Sequence, residues 1–307
     1  MEKIQNSTDK KGLSTFILKI LATIFMTIDH IGYMIMNYYG EGAINNVGYV
    51  FRMFGRLALP IFIFVLIEGL THTKNIKKYL LRLGIEAIVI YIAMTAIQII
   101  GDGSFNFLYN GNIFITLFIL ALFYYFIFHS KYKFLCCLPI LYIIASFGTK
   151  IIFVEGFFTI REVKSFIYFN GLFLQYDIIA PFIFMVTLLG YKIYDNRLKK
   201  ILVNDEEQIS EFKKSNQYQR SRNSIVCIII AFLTLVCYVI TYLPFYENGL
   251  DQLIDGALQS FMFFSAIPIF FYNGRKGYSN KVIKYAFYLY YPLHIALIYL
   301  IFVLITK

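Results

Sequence analysis

The chain has 307 residues, of which 59% are apolar and 15% charged, and its mean hydropathy is +0.66. Soluble domains carry roughly 25% charged residues, so this composition excludes a soluble enzyme and predicts a polytopic membrane protein. Apolar runs leave no stretch of about 50 residues for a separate soluble unit, so residues 1–307 read as a single integral membrane domain. The net charge of +10 is assigned to topology and the anionic inner leaflet rather than to nucleic acid.

About 20 apolar residues cross the hydrocarbon core. Taken in chain order, nine spans are expected: Phe16 to Tyr39, Val47 to Leu70, Tyr79 to Gly101, Ile113 to His129, Phe134 to Val154, Ile167 to Tyr191, Ile225 to Leu243, Leu253 to Tyr272 and Val282 to Ile305. The fold class is thus an all-α transmembrane helix bundle. With a cytoplasmic N-terminus, the outer side keeps only Arg52, Arg56, Lys150, Arg161, Lys164 and Lys307 of the 28 Lys and Arg, as the positive-inside rule requires. The first span has the basic lead of a signal peptide, but its apolar run is too long and no small-residue cleavage site follows, so a retained anchor is expected. Cys136, Cys137, Cys227 and Cys237 have no metal-ligand spacing with a histidine and read as apolar packing; no metal is predicted. The polar insertion at 192–224 reads as a solvated cytoplasmic connector, and the 155–166 segment as an outer loop that either merely connects, the commoner case, or borders a functional site. No internal repeat is visible, which weighs against an inverted-repeat transporter.

Ionisable residues within spans are costly and mark functional sites. At 1.5 Å rise per residue, His30 and Arg56 lie about 13 Å from the outer ends of their spans, Asp177 about 15 Å and His294 about 16 Å. Four titratable side chains from four helices therefore share one level. Arg52 and Arg56, four apart on one face, repel and need an anionic answer: Asp29, Asp177 or a bound ligand. Asp29 and His30 diverge by about 100° on their helix, so Asp29 is expected to pair with Arg56 while His30 points at substrate. His294 follows Pro292, which frees a carbonyl one turn earlier and suits a cavity wall. At the predicted inner ends, Glu68-Gly69-Leu70-Thr71-His72-Thr73-Lys74-Asn75 and Tyr272-Asn273-Gly274-Arg275-Lys276-Gly277 combine glycine with cations. Such turns bind phosphate or simply obey the positive-inside rule.

Together these blocks resemble the TraX family of membrane acetyltransferases, named for the protein that acetylates the N-terminus of conjugative pilin. The resemblance runs through Thr27-Ile28-Asp29-His30-Ile31-Gly32, Gly55-Arg56-Leu57-Ala58-Leu59-Pro60-Ile61-Phe62, Glu68-Gly69 with His72-Thr73-Lys74-Asn75, and Lys78-Tyr79-Leu80-Leu81-Arg82-Leu83. It continues through Asn112-Ile113-Phe114, Tyr272 to Gly277 and Tyr290-Tyr291-Pro292-Leu293-His294. From about Phe134 to Ser224 no block matches.

The resemblance implies a bacterial plasma-membrane acyltransferase that takes acetyl-CoA from the cytosol and modifies a peptide, glycan or lipid-linked acceptor. In that scheme His30 is the base, Arg56 or Arg52 holds the oxyanion, Asp29 steadies the cluster, and His294 is the second candidate base or acetyl carrier. Glu68, His72, Lys74, Arg275 and Lys276 are the expected coenzyme contacts. The competing expectation is a proton-coupled transporter or flippase using the same buried Asp, His and Arg, and a third is a noncatalytic assembly partner.

Overall fold

The computed structural model describes residues 12–39, 42–100, 111–149, 172, 174–176, 178–203, 205–240 and 256–306. Among them the secondary structure is helical, apart from isolated bridges between Leu13 and Tyr272 and between Asn112 and Leu174. The main helices are α1 (Thr15–Tyr39), α2 (Ala43–Gly55), α3 (Ala58–His72), α4 (Ile76–Ile100), α5 (Ile113–Phe128), α6 (Cys137–Thr149), α7 (Ile179–Ile201), α8 (Glu206–Lys214), α9 (Asn216–Ile240), the short α10 (Gly256–Ser260) and α11 (Ala266–Phe270), and α12 (Lys281–Thr306). The all-α bundle is as predicted.

Five helical stretches are long and apolar enough to cross a membrane: Thr15–Tyr38, Ala43–His72, Ile76–Ala96, Asn216–Ile240 and Lys281–Ile305. They coincide with five of the nine predicted spans. The helices at Ile113–Phe128, Lys133–Thr149 and Ala257–Phe270 are apolar but shorter, and α7 becomes polar in its second half. Three of these four elements adjoin residues outside the described set.

The second predicted span is bent. It splits into α2 and α3 at Arg56 and Leu57, because Pro60 has no N–H to return to the Arg56 carbonyl one turn earlier. Below the bend, α3 is the central rod: Leu59, Ile61, Ile63, Phe64 and Ile67 are all at most 2% exposed, and the helix packs on α1, α5 and α7. Against α1, α2 approaches through glycines. A Cβ on Gly32 would meet the Gly48 carbonyl oxygen at 2.6 Å, and one on Gly55 would overlap the side chain and Cα of Asp29. Small residues let membrane helices come this close.

The segment leading into α1 is tied to the turn that precedes α12. Leu13 N–H donates to the Phe271 carbonyl at 2.8 Å, Asn273 N–H to Leu13 at 2.9 Å, Thr15 N–H to Arg275 at 2.9 Å and Phe16 N–H to Lys276 at 3.1 Å. Gly274 and Gly277 shape this turn with φ of 75° and 70°, a region costly for other L-residues.

The segment at 192–224 departs from the expected connector. It is largely helical: α7 runs on to Ile201, Asp205 caps α8 through the Glu207 and Gln208 amides, and α9 begins at Asn216. Tyr218, Arg222 and Asn223 are buried. Arg222 reaches into the bundle, donates to Glu68 at 3.0 Å and stacks 4.0 Å from the Tyr191 ring centroid. A partner 154 residues away gives no local signal, so its charge reads as a solvated one in the sequence. The 155–166 loop and Asp177 lie outside the described residues.

Candidate functional site

α1 carries Asp29 and His30 into the bundle, and α12 carries His294 to meet them. Thr27 donates to the Thr23 carbonyl at 2.9 Å, so the Tyr290 hydroxyl is the donor in their 2.7 Å contact. That bond pins α12 to α1 one turn from the histidines. His30 Nδ1 and His294 Nε2 are 2.8 Å apart, and His294 Nδ1 is 3.0 Å from the Tyr290 carbonyl oxygen. A carbonyl only accepts, so with both rings neutral His294 carries its proton on Nδ1 and accepts at Nε2. His30 must then donate from Nδ1, which leaves the lone pair of His30 Nε2 for chemistry. The two rings lie within 9° of parallel, with Tyr291 edge-on to both.

Asp29 turns the other way, as its helical phase requires, toward α2. Its Oδ1 lies 3.7 Å from Arg56 and 3.8 Å from Arg52, too far for hydrogen bonds, and has no hydrogen-bond partner. Arg56 donates to the Tyr176 hydroxyl at 3.2 Å. Because that oxygen accepts from a guanidinium, the Tyr176 proton is left to be donated elsewhere. Tyr176 sits at φ 61°, uncommon for a bulky residue. It is held there by its neighbour: Gln175 N–H donates to Thr116 Oγ1 at 2.9 Å, and Thr116 in turn donates to the Gln175 carbonyl at 3.2 Å. Asn112 anchors the same corner, capping α5 through Phe114 N–H and donating to the Ala87 carbonyl at 2.9 Å.

Asp29, His30, Gln175, Tyr176 and Tyr291 line a chamber of about 20 Å³, room for about one water molecule. A second cavity of about 570 Å³, within the roughly 300–1,000 Å³ of small-molecule sites, shares the walls Met26, Phe62, Ile113 and Tyr291 with the chamber. It runs to the tie between the start of α1 and the 271–276 turn, where His72, Lys74 and Lys276 line it.

The structure therefore brings His30, Asp29, Arg52, Arg56 and His294 together. Neither arginine lines the chamber; both stand behind Asp29, and Arg56 also behind Tyr176, which corrects the expectation that a guanidinium faces the reacting centre. Of the expected coenzyme contacts, His72, Lys74 and Lys276 line the wide cavity, whereas Arg275 does not. Glu68 lines it too, but its carboxylate is engaged by Arg222, so it reads as a buried ion pair. Sequence reasoning missed Tyr176, Lys19, Arg82 and Lys284. Lys19 and Lys284 were counted only as topology signals and Arg82 only within a resembling block, although the spacing of Lys19 below His30 on α1 would place it on the same route.

Residues 14–176 match the family described as TraX protein. A curated relative, described as probable fimbrial assembly protein FimC, serogroup H1, from Dichelobacter nodosus, is 36% identical over 108 residues. The match covers 34% of this chain and 42% of that protein, so the chain spans about two fifths of the length of the curated relative. No solved structure gives a significant match. The family match takes in more than half of the chain and carries His30, Asp29, both arginines and Tyr176; this membrane protein belongs to the TraX family.

Proposed function

We propose that the protein transfers an acetyl group from acetyl-CoA to an amine or hydroxyl of a cell-envelope acceptor, in a bacterial plasma membrane. The observation that carries this reading is the chain of hydrogen bonds from the Tyr290 carbonyl through His294 to His30. It fixes the tautomer and leaves a basic nitrogen at a chamber adjoining a coenzyme-sized cavity. The wide cavity receives the acyl donor, with its reactive end at the wall formed by Met26, Phe62, Ile113 and Tyr291.

His30 Nε2 takes the proton from the acceptor nucleophile as its new bond to the acyl carbon forms. Tyr176 donates its hydroxyl proton as a hydrogen bond to the acyl oxygen while negative charge grows there, strengthened by Arg56 behind it. When the carbon–sulfur bond breaks, His30 returns the proton to the departing sulfur. His294 accepts from His30 Nδ1 throughout and so steadies the transient imidazolium, and Asp29 sets its negative charge between the chamber and both arginines. The relative's description as a fimbrial assembly protein fits a peptide amine among the acceptors, alongside glycan and lipid-linked hydroxyls.

The test is transfer from isotopically labelled acetyl-CoA to envelope material, read by mass spectrometry. His30→Ala is expected to abolish labelling while thermal unfolding in detergent stays that of the parent. Full labelling by that variant would reject the assignment. A folded parent that neither labels envelope nor is stabilised by acetyl-CoA would favour proton-coupled transport.

A further inference from the structure

The chamber beside His30 has two kinds of apolar wall. Met26, Phe62, Ile113 and Tyr291 are shared with the wide cavity, whereas Gly55, Ala58 and Leu59 line the chamber alone and so close it off from that cavity. All three belong to the bend: Gly55 ends α2, and Ala58 and Leu59 open α3. This wall has no slack. Ala58 is 6% and Leu59 2% exposed, and the space a Cβ on Gly55 would take is already filled by Asp29. From there α3 continues as a rod whose Ile61, Ile63 and Ile67 are fully buried. Close-packed interiors of this kind transmit strain rather than absorb it, and one extra methylene forced into them is costly.

We propose that Ala58 and Leu59 set the length of the acyl group that is transferred, admitting acetyl and turning away longer chains, a proposal that rests on the acetyl-transfer reading of His30. In that reaction Tyr176 holds the acyl oxygen and His30 serves the nucleophile, so the remaining substituent on the acyl carbon is left to the apolar wall. The chamber measures about 20 Å³, room for one group near the size of a water molecule, which a methyl meets and an ethyl exceeds. The wide cavity gives a longer chain no relief, because the thioester arm enters through the side that the two spaces share. Each further carbon must instead displace the first turn of α3. One methylene against a fixed apolar pocket is worth about 10–200-fold in kcat/KM. The bend at Arg56 thus puts the first turn of α3, and with it the small side chain of Ala58, at the reacting centre.

The experiment is a competition in which the detergent-solubilised full chain, with envelope material as acceptor, chooses between acetyl-CoA and propionyl-CoA, the products being counted by mass spectrometry. The product ratio reports the ratio of the two kcat/KM values and does not depend on how much of a variant is folded. The parent is expected to prefer acetyl by at least about tenfold. Ala58→Gly, which takes one methyl from the wall, is expected to raise the propionyl share about tenfold over the parent, whereas Ile113→Val, which takes one from the shared side, shifts it by less than about twofold. If Ala58→Gly yields no folded protein, Leu59→Ala carries the test with the same direction expected. Equal use of the two donors by the parent, or a ratio that neither opening variant moves, overturns the assignment yet leaves His30-dependent acetyl transfer standing. A gain in Ile113→Val equal to that in Ala58→Gly overturns it in favour of the shared wall. Transfer of neither group by a folded parent removes the acetyl-transfer reading itself, and the acyl pocket falls with it.

Discussion

At the scale of single residues, the site depends on who donates to whom. Tyr176 accepts from Arg56, and that direction leaves its own proton free to be donated, in the proposed reaction to the acyl oxygen. Tyr176→Phe is expected to lower kcat by about 10² to 10³, the cost of losing one oxyanion donor, with the KM for acetyl-CoA within about twofold. Steady-state kinetics decide it, and an unaltered kcat would remove Tyr176 from the reaction. This residue was hidden in the sequence, since a tyrosine among 26 carries no mark of its backbone conformation or of its guanidinium partner. His30, Asp29, Arg52, Arg56 and His294 were legible, because ionisable groups inside apolar runs stand out whatever the fold. Their pairing was legible only in part: helical phase separated Asp29 from His30 and joined it to Arg56, but nothing local could announce that His294, on the last helix, receives the His30 proton.

At the scale of elements, α1 and α2 meet backbone to backbone, and Asp29 is seated where Gly55 has no side chain. Gly55→Ala is expected to displace Asp29, to cost about 1–3 kcal/mol of stability as overpacking does, and to depress transfer as the arginines lose their counter-ion. Gly148→Ala, with open space around the added methyl, should stay within about 0.5 kcal/mol of the parent. Thermal unfolding of the two variants in the same detergent makes the comparison; equal stability would show the close approach to be dispensable. Long apolar runs made α1, α4, α9 and α12 readable from composition. The bend at Arg56 was less so, since Pro60 is tolerated in membrane helices and its effect on the preceding turn shows only in the fold. The 192–224 helices were read as a connector because their burial depends on Glu68, Tyr191 and the α11 end, all distant in the chain.

At the scale of the whole molecule, the start of α1, the 72–75 turn and the 271–280 segment gather at one end of the bundle, as expected if these predicted inner segments share a face. Asn46, in the first turn of α2, lies near the opposite end of α1. In a cysteine-free background, single cysteines at Lys74 and Tyr278 are expected to be shielded from a membrane-impermeant maleimide in intact cells, and one at Asn46 to be labelled. The reverse pattern would invert the orientation and open the wide cavity to the compartment opposite the one the proposed function requires. The tie between the start of α1 and the 271–276 turn bears on biosynthesis. Its two halves leave the ribosome far apart in time, Leu13 long before the 271–276 segment, with His294 later still. Helices inserted early must therefore wait with an unpaired imidazole and an open turn. A prematurely terminated product lacks both the ring that accepts from His30 and the segment that closes on Leu13, so under the proposed function a truncated chain left in the bilayer is expected to be inert toward the cell's thioester pool.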